Sequence, residues 1–261
     1  MSSVDSLEPL VLSRIAEKCR GASSVLFITG AGLSAESGLP TYRGVGGLYN
    51  QGKTEEGLPI EEIVSGRTLQ RDPALCWKYI RRMEKVCRGA APSFAHRLIA
   101  SFERRVPRVC VLTQNVDGLH ARAGSTHVIE AHGGIGKLAC MACSYRAQSD
   151  GYDGLPELPR CPRCGAVVRP EVVLFGEKLS DSVVASLDRE IHQGFDVIFS
   201  IGTTSVFPYI RAPLLVGKRP GALTIEINPE ETCVSSRVDH RLRSRAGVAL
   251  QGIWERIAKT T

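Results

Sequence analysis

The chain is short of aromatic side chains, 6% in all, with two tryptophans and three methionines. A protein that grips single-stranded nucleic acid needs flat rings for bases to stack on, set among concentrated cations. Neither is present. The formal charge is only +6, from 33 basic against 27 acidic residues. The arginines are scattered, as at Arg81–Arg82, Arg104–Arg105 and Arg241, Arg243 and Arg245. Such pairs read as solvated faces, so no direct nucleic-acid partner is expected. No apolar run approaches the roughly 20 residues needed to cross a bilayer, which argues against a membrane partner. Met1 to Leu10 carries Asp5 and Glu8 and lacks the basic-then-apolar order of an export leader. Internal repeats and low-complexity tracts are also missing.

Cysteine is not scarce. There are nine, yet their spacing argues against a disulfide scaffold. Cys19, Cys76, Cys87, Cys110 and Cys233 are isolated, most of them in apolar or helical contexts where a thiol behaves as a small hydrophobe. Cys140-x-x-Cys143, seventeen intervening residues, then Cys161-x-x-Cys164 form a separate pattern. Each pair closes a tight turn, and two turns supply four thiolates to one tetrahedral ion. With every ligand position taken by cysteine, no place is left for water, so a single structural Zn2+ is expected. Paired disulfides or accidental thiols are the alternatives, and a reducing, cytoplasmic location suits the zinc reading better. A nuclear or mitochondrial location stays open. Zinc ribbons also occur in nucleic-acid-binding proteins, so the module does not name a function.

Apolar strand-like runs recur at 24–29, 108–113, 196–201 and 223–227. Helical patterns lie between and around them, at 7–20, 73–87, 92–103, 180–192, 206–216 and 246–258. Strands apolar throughout, alternating with helices, predict an α/β fold: a doubly wound parallel sheet covered on both faces. The stretch from Gly136 to Arg169 breaks the pattern with its paired cysteines, Pro156, Pro159 and Pro162. The expected division is a Rossmann-like domain from 1–44, 105–135 and 171–261. A helical insert at 45–104 and a zinc module at 136–170 make up the rest.

The first strand ends in "TGAGLSAESGLPTYRG". Gly30-x-Gly32-x-x-Ala35 after a strand fits a dinucleotide-binding turn, where the second glycine lets the backbone approach a pyrophosphate. Taken alone it is also an ordinary glycine turn. It departs from a dehydrogenase because a polar loop, Thr41 to Gly47, follows instead of a strand ending in an acid.

Three further stretches join it: "TQNVDGLH" (113–120), "EAHGG" (130–134) and "GTTSV" (202–206). In this order, with the four cysteines after the histidine, the set resembles the sirtuin family of NAD-dependent protein lysine deacylases. The likeness runs from about Gly21 to Ala258, toward the bacterial-type and class III branch. It implies that Gly30, Ala31, Gly32 and Ser34 cradle the NAD pyrophosphate and that Glu36 shapes the loop. Tyr42 and Arg43 would lie on a closing loop, with Tyr where the family usually has Phe. Gln114, Asn115, Val116 and Asp117 would meet the nicotinamide end, Asn115 and Asp117 with a catalytic share. His132 would be the general base that activates a ribose hydroxyl after the acyl oxygen attacks C1′ and nicotinamide leaves. Gly134 stands where Ser, Thr or Asn is more common. Gly202, Thr203, Thr204, Asn228, Pro229, Glu230 and Ala246 would approach the adenosine. Val172, Val173, Phe175 and Gly176 would pair with acyl-lysine proteins or peptides. An NAD-dependent protein ADP-ribosyltransferase would use the same pocket, and is the rival reading.

The acyl group turns on register. One branch of the family reads acidic acyl chains with Tyr-x-x-Arg, and Tyr79-Ile80-Arg81-Arg82 has that spacing. Counted from the helix start at Asp72–Pro73, however, the two positions fall on Ile80 and Met83. Tyr79 and Arg82 lie one residue earlier, about 100° around the helix. Ile80 and Met83 at i and i+3 share a face, predicting an apolar pocket floor without a cation.

Overall fold

The computed structural model describes residues 8–41 and 53–259. Its centre is a six-stranded sheet in the order β3-β2-β1-β7-β8-β9, every pairing parallel. These strands are β1 (Ser24–Thr29), β2 (Arg108–Thr113), β3 (Val128–Glu130), β7 (Phe195–Ile201), β8 (Lys218–Ile227) and β9 (His240–Leu242). The first sheet strands in the chain run outward to one edge and the later ones to the other. This places the switch in direction between β1 and β7, where open α/β sheets bind ligands.

Strand alternation explains the layering. Val25 and Phe27 of β1, Val111 of β2 and Phe199 of β7 face helices α1 (Pro9–Arg20), α6 (Phe94–Phe102) and α10 (Ala246–Ala258). Leu26, Ile28, Cys110, Leu112 and Ile198 face the opposite way, toward α8 (Asp181–Gln193) and α9 (Pro208–Val216). Phe27 stacks on Phe199 with ring centroids 5.0 Å apart and meets Phe102 edge-on at 5.1 Å. Each ring buried this way contributes on the order of 1.5–3 kcal/mol. α6 falls inside the 45–104 stretch expected as an insert, but Ala95, Leu98, Ile99 and Phe102 belong to the core of the large sheet.

A second core lies beside the sheet. It joins α3 (Ile60–Ile63), α4 (Gly66–Arg71) and α5 (Pro73–Gly89) to a three-stranded antiparallel sheet β5-β4-β6. That sheet comprises β4 (Gly133–Cys140), β5 (Arg146–Gln148) and β6 (Val168–Val172). α5 starts where the sequence dictates: Asp72 accepts from the Leu75 N–H at 3.0 Å and Pro73 takes the first turn. Trp77 anchors it by donating its indole N–H to Val168 O at 2.9 Å. The two remaining helices, α2 (Ala31–Ser34) and α7 (Leu119–Arg122), are single turns at the carboxyl edge of the large sheet. No described helix is long and apolar enough to cross a membrane.

Registration sets the site. Thr29 lies level with Thr113 and Ile201, Ile201 with Ile227, and Thr113 with Glu130. The residues that follow these ends therefore emerge along one edge: Gly30, Gln114, Ala131–His132, Gly202 and Asn228.

Candidate active site

The glycines let two loops touch. Gly30 N–H donates to Ile201 O at 3.1 Å, and Gly32 N–H to Gly202 O at 2.9 Å. A Cβ on Gly32 would come within 2.7 Å of the Gly202 Cα, and one on Gly30 within 2.8 Å of Gly202 O. Gly202 itself has φ +58, in the left-handed region that favours glycine. Both glycine amides are thus tied to the end of β7. What these glycines supply in the structure is close approach between the ends of β1 and β7.

Around that contact the polar side chains form one network. Asn115 is buried, and its Nδ2 donates to Gly30 O at 3.0 Å and to Ser34 Oγ at 2.9 Å. Ser34 Oγ donates in turn to Asp117 Oδ2 at 2.7 Å, while Asp117 Oδ1 accepts from Leu119 N–H at 2.9 Å. Burial pushes the Asp117 carboxyl above its ordinary range, opposed by these two hydrogen bonds. Val116, between the two polar residues, accepts from Ile135 N–H at 2.9 Å and packs on the second core. Gln114 Nε2 donates to Thr203 Oγ1 at 2.6 Å, and Asn228 Nδ2 to Thr203 O at 3.2 Å. Glu230 N–H returns to Asn228 Oδ1 at 3.1 Å across Pro229, and Thr204 O accepts from Cys233 N–H at 3.4 Å. Glu36 reaches the far side, accepting from Gly247 N–H at 2.9 Å next to buried Ala246. The nearby Ser244 hydroxyl is buried with no hydrogen-bond partner.

His132 leaves the end of β3 beside this network. Gly133 has φ +75, and a Cβ there would fall 1.8 Å from Glu171 O, so only glycine permits the turn that presents the imidazole. Burial holds the ring below its ordinary pKa, a main-chain hydrogen bond with Gln114 opposing the shift. It is therefore neutral near pH 7. Its Nε2 lies 2.7 Å from the Tyr209 hydroxyl, and its ring meets Phe207 and Tyr209 edge-on at 6.0 Å. Sequence reasoning missed both aromatics, since their only signal was a place just beyond "GTTSV". His96 and His120 are different: fully enclosed, edge-on to each other at 4.8 Å, and pushed by burial to about 4 and about 3.

The segment expected to pair with a peptide is partly engaged already. Val172 pairs with Gly133, and Val173 N–H donates to His132 O at 2.9 Å. Phe175 N–H donates to Val64 O at 3.1 Å and Phe175 O accepts from Gly66 N–H at 3.0 Å. The Phe175 side chain is 38% exposed, and Gly176 follows with φ +81. On α5, Ile80 is buried in the second core, with Met83 packed against it. Tyr79 is buried in the same core, with its hydroxyl donating to Glu56, while Arg82 is exposed and pairs with Glu55 at 2.9 Å. Tyr42 and Arg43 lie outside the described residues.

Cys140, Cys143, Cys161 and Cys164 converge. Sulfur separations are 3.5 Å for Cys140–Cys164 and 3.6 Å for both Cys143–Cys161 and Cys143–Cys164. A tetrahedron with Zn–S bonds of 2.3 Å has edges of about 3.8 Å, so the donor set fits zinc. Ala142 N–H points at Cys140 Sγ at 3.3 Å and Arg163 N–H at Cys161 Sγ at 3.4 Å, stabilising thiolates in both turns.

The Sir2 family model matches residues 30–208. The chain belongs to the Sir2 family. A Pseudomonas aeruginosa protein named NAD-dependent protein deacylase 2 is 48% identical over 248 residues, covering 93% of this chain and 95% of that protein. A solved Sir2 homologue mutant in complex with ADP ribose superposes with a TM-score of 0.85 at 35% identity, over 95% of this chain and 96% of that one. A Sir2 homologue–NAD complex gives 0.83 at 34%, over 95% and 94%. The α/β fold and the four-cysteine module of this Sir2-family chain are those its sequence led us to expect. The residues at the carboxyl edge suit such a nucleotide: amides and hydroxyls from Ser34, Gln114, Asn115, Thr203 and Asn228, and a buried, unpartnered Ser244 hydroxyl two residues before Ala246.

Proposed function

We propose that this chain is an NAD-dependent protein deacylase that removes acyl groups from lysines of proteins or peptides, with His132 as its general base. The observation that carries the assignment is a half-buried neutral imidazole beside the Ser34–Asn115–Asp117 network, at the point where the sheet changes direction. NAD, when bound, supplies ADP-ribose as acyl acceptor and nicotinamide as leaving group. Asn115 and Asp117 orient the nicotinamide end, held rigid through Ser34. Thr203, Thr204, Asn228 and Glu230 line the adenosine end. His132 takes a proton at Nε2 from a sugar hydroxyl, with its ring held in place by Gln114. Residues of the sheet domain and of the insert with its zinc module would hold NAD between them.

The deciding experiment supplies an acetylated peptide and NAD to the intact protein. Nicotinamide should appear in one-to-one ratio with deacetylated peptide. Labelled protein without deacylation would favour the ADP-ribosyltransferase instead.

Asn115→Ala should lower kcat/KM by on the order of ten- to a hundredfold. It leaves Gly30 O and Ser34 without their buried donor, and each such loss costs about 1–3 kcal/mol. Steady-state kinetics with varied NAD check this, and wild-type parameters would remove Asn115 from the site.

The acyl preference we assign is acetyl or a longer apolar chain over succinyl. Ile80 and Met83 lie with Val116 and Val172 around the second core; the Tyr79 ring is buried there too, but its hydroxyl is held by Glu56, and Arg82 is held by Glu55. Succinyl peptide should be turned over at least tenfold more slowly than acetyl peptide, and Arg82→Met should leave acetyl turnover within twofold. Preferred succinyl removal that disappears in Arg82→Met would reverse the register and make Tyr79 and Arg82 the acyl-reading pair.

A further inference from the structure

We infer that Tyr209 is a positioning residue for His132, its hydroxyl capping Nε2 in the free protein and yielding that position when substrate arrives. The inference rests on His132 being the base. Its geometry is direct. The Tyr209 hydroxyl is 2.7 Å from Nε2. A base acting at Nε2 needs that nitrogen unprotonated, so the proton of the neutral ring sits on Nδ1. Nε2 of the neutral ring then has only a lone pair, and Tyr209 must be the donor. Burial raises the phenol above its ordinary pKa, which keeps that proton in place.

The tyrosine is itself braced. Its ring stacks on Phe207 at 5.4 Å with planes 16° apart, at the start of α9. The preceding loop holds Ser205 at φ +54, the one non-glycine residue in that region among the described residues. Ser205 N–H is fixed by Thr203 Oγ1 at 3.1 Å, the same oxygen that accepts from Gln114 Nε2. One loop therefore ties together both residues that hold the imidazole.

A lone pair that accepts from Tyr209 cannot at the same moment take a proton from a sugar hydroxyl. The two donors compete for one position, so substrate must displace the phenol. Until then the Tyr209 bond favours the neutral ring and lowers its pKa. Charged groups nearby do not dominate the titration. Glu130 on β3 is paired with Lys137 at 2.6 Å, Glu171 on β6 with Arg146 at 2.8 Å, and Asp117 is bonded to Ser34 and Leu119. Desolvation is the leading cause of the downward His132 shift, and the Gln114 main chain opposes it.

Tyr209→Phe keeps the ring and its stacking and deletes only the donor. In the free protein, the His132 imidazole followed by NMR should titrate about half to one pH unit higher than in the wild type, the size of one neutral hydrogen bond. The acid limb of kcat/KM, which reports the free enzyme, should move up with it. The limb of kcat, which reports the bound state with Tyr209 displaced, should stay. An unchanged imidazole titration in Tyr209→Phe, or equal movement of both limbs, overturns the role of Tyr209. Retained turnover in His132→Ala would instead remove the base assignment and with it this inference.

Discussion

His132→Ala should lower kcat by about 10²–10⁴-fold while NAD affinity stays within a few-fold of wild type. The magnitude is that of a positioned general base. The split between rate and binding follows from where the imidazole stands. Its ring contacts are Gln114, Phe207 and Tyr209, whereas Ser34, Asn115 and Asp117 are bonded to one another and to Gly30 without it. Removing the ring deletes a proton acceptor and leaves that network standing. Gly133, whose φ of +75 sets the turn, is unaffected by a shorter neighbour, so the fold should survive. Nicotinamide release in steady state, set beside calorimetric NAD binding, checks both halves. A variant turning over within threefold of wild type would show that the proton goes elsewhere. So would a loss of rate fully explained by lost NAD binding, since then His132 would be holding ligand and not moving a proton.

Much of the fold was legible in the sequence, for a physical reason. Strands buried on both faces need continuous apolar residues, so β1 and β2 stood out with their true bounds, and the polar runs after them marked the carboxyl edge. β3 and β9 are three-residue edge strands with too little sequence to show a period. The first half of β8 is half-exposed and carries Arg219, Pro220 and Gly221, so only 223–227 read as strand. Side-chain networks were legible as membership and not as wiring. Ser34, Asn115 and Asp117 were all expected at the site, yet nothing in their spacing says that one hydroxyl links the other two. Likewise the glycines were read as room for a phosphate, and the structure adds that they are room for another loop. Tyr209 was invisible because its partner lies 77 positions away in the chain. The Glu55 and Glu56 contacts to α5 were missed for a similar reason. They are ion pairs between exposed groups, and no local periodicity announces them.

Loss of zinc should have the largest effect on stability, and it should reach the active site. Cys164→Ser or Cys140→Ala is expected to yield protein without stoichiometric zinc, with 141–167 opened to protease and deacylation lost. Binding of zinc by four thiolates is folding free energy, on the order of 10 kcal/mol in small domains, because no such site pre-exists in the open chain. Elsewhere in this segment Tyr152 and Cys161 are buried in the second core, Tyr145, Ala147, Leu155, Leu158 and Val167 pack against it, and β5 pairs with β4. The path to the site is covalent and short. β4 runs from Cys140 back to Gly133, next to His132, and β6 runs from Val168 to Val172, ahead of the Val173 N–H that donates to His132 O. If the zinc turns open, β4 and β6 lose the clamp at one end of their ladder, and His132 loses the backbone that aims it. The large parallel sheet should persist, because its cores are built from other residues. Metal analysis, limited proteolysis and thermal unfolding together test this. A Cys164→Ser protein free of zinc, protected over 141–167 and fully active, would show that the four cysteines neither hold a structural ion nor support the base.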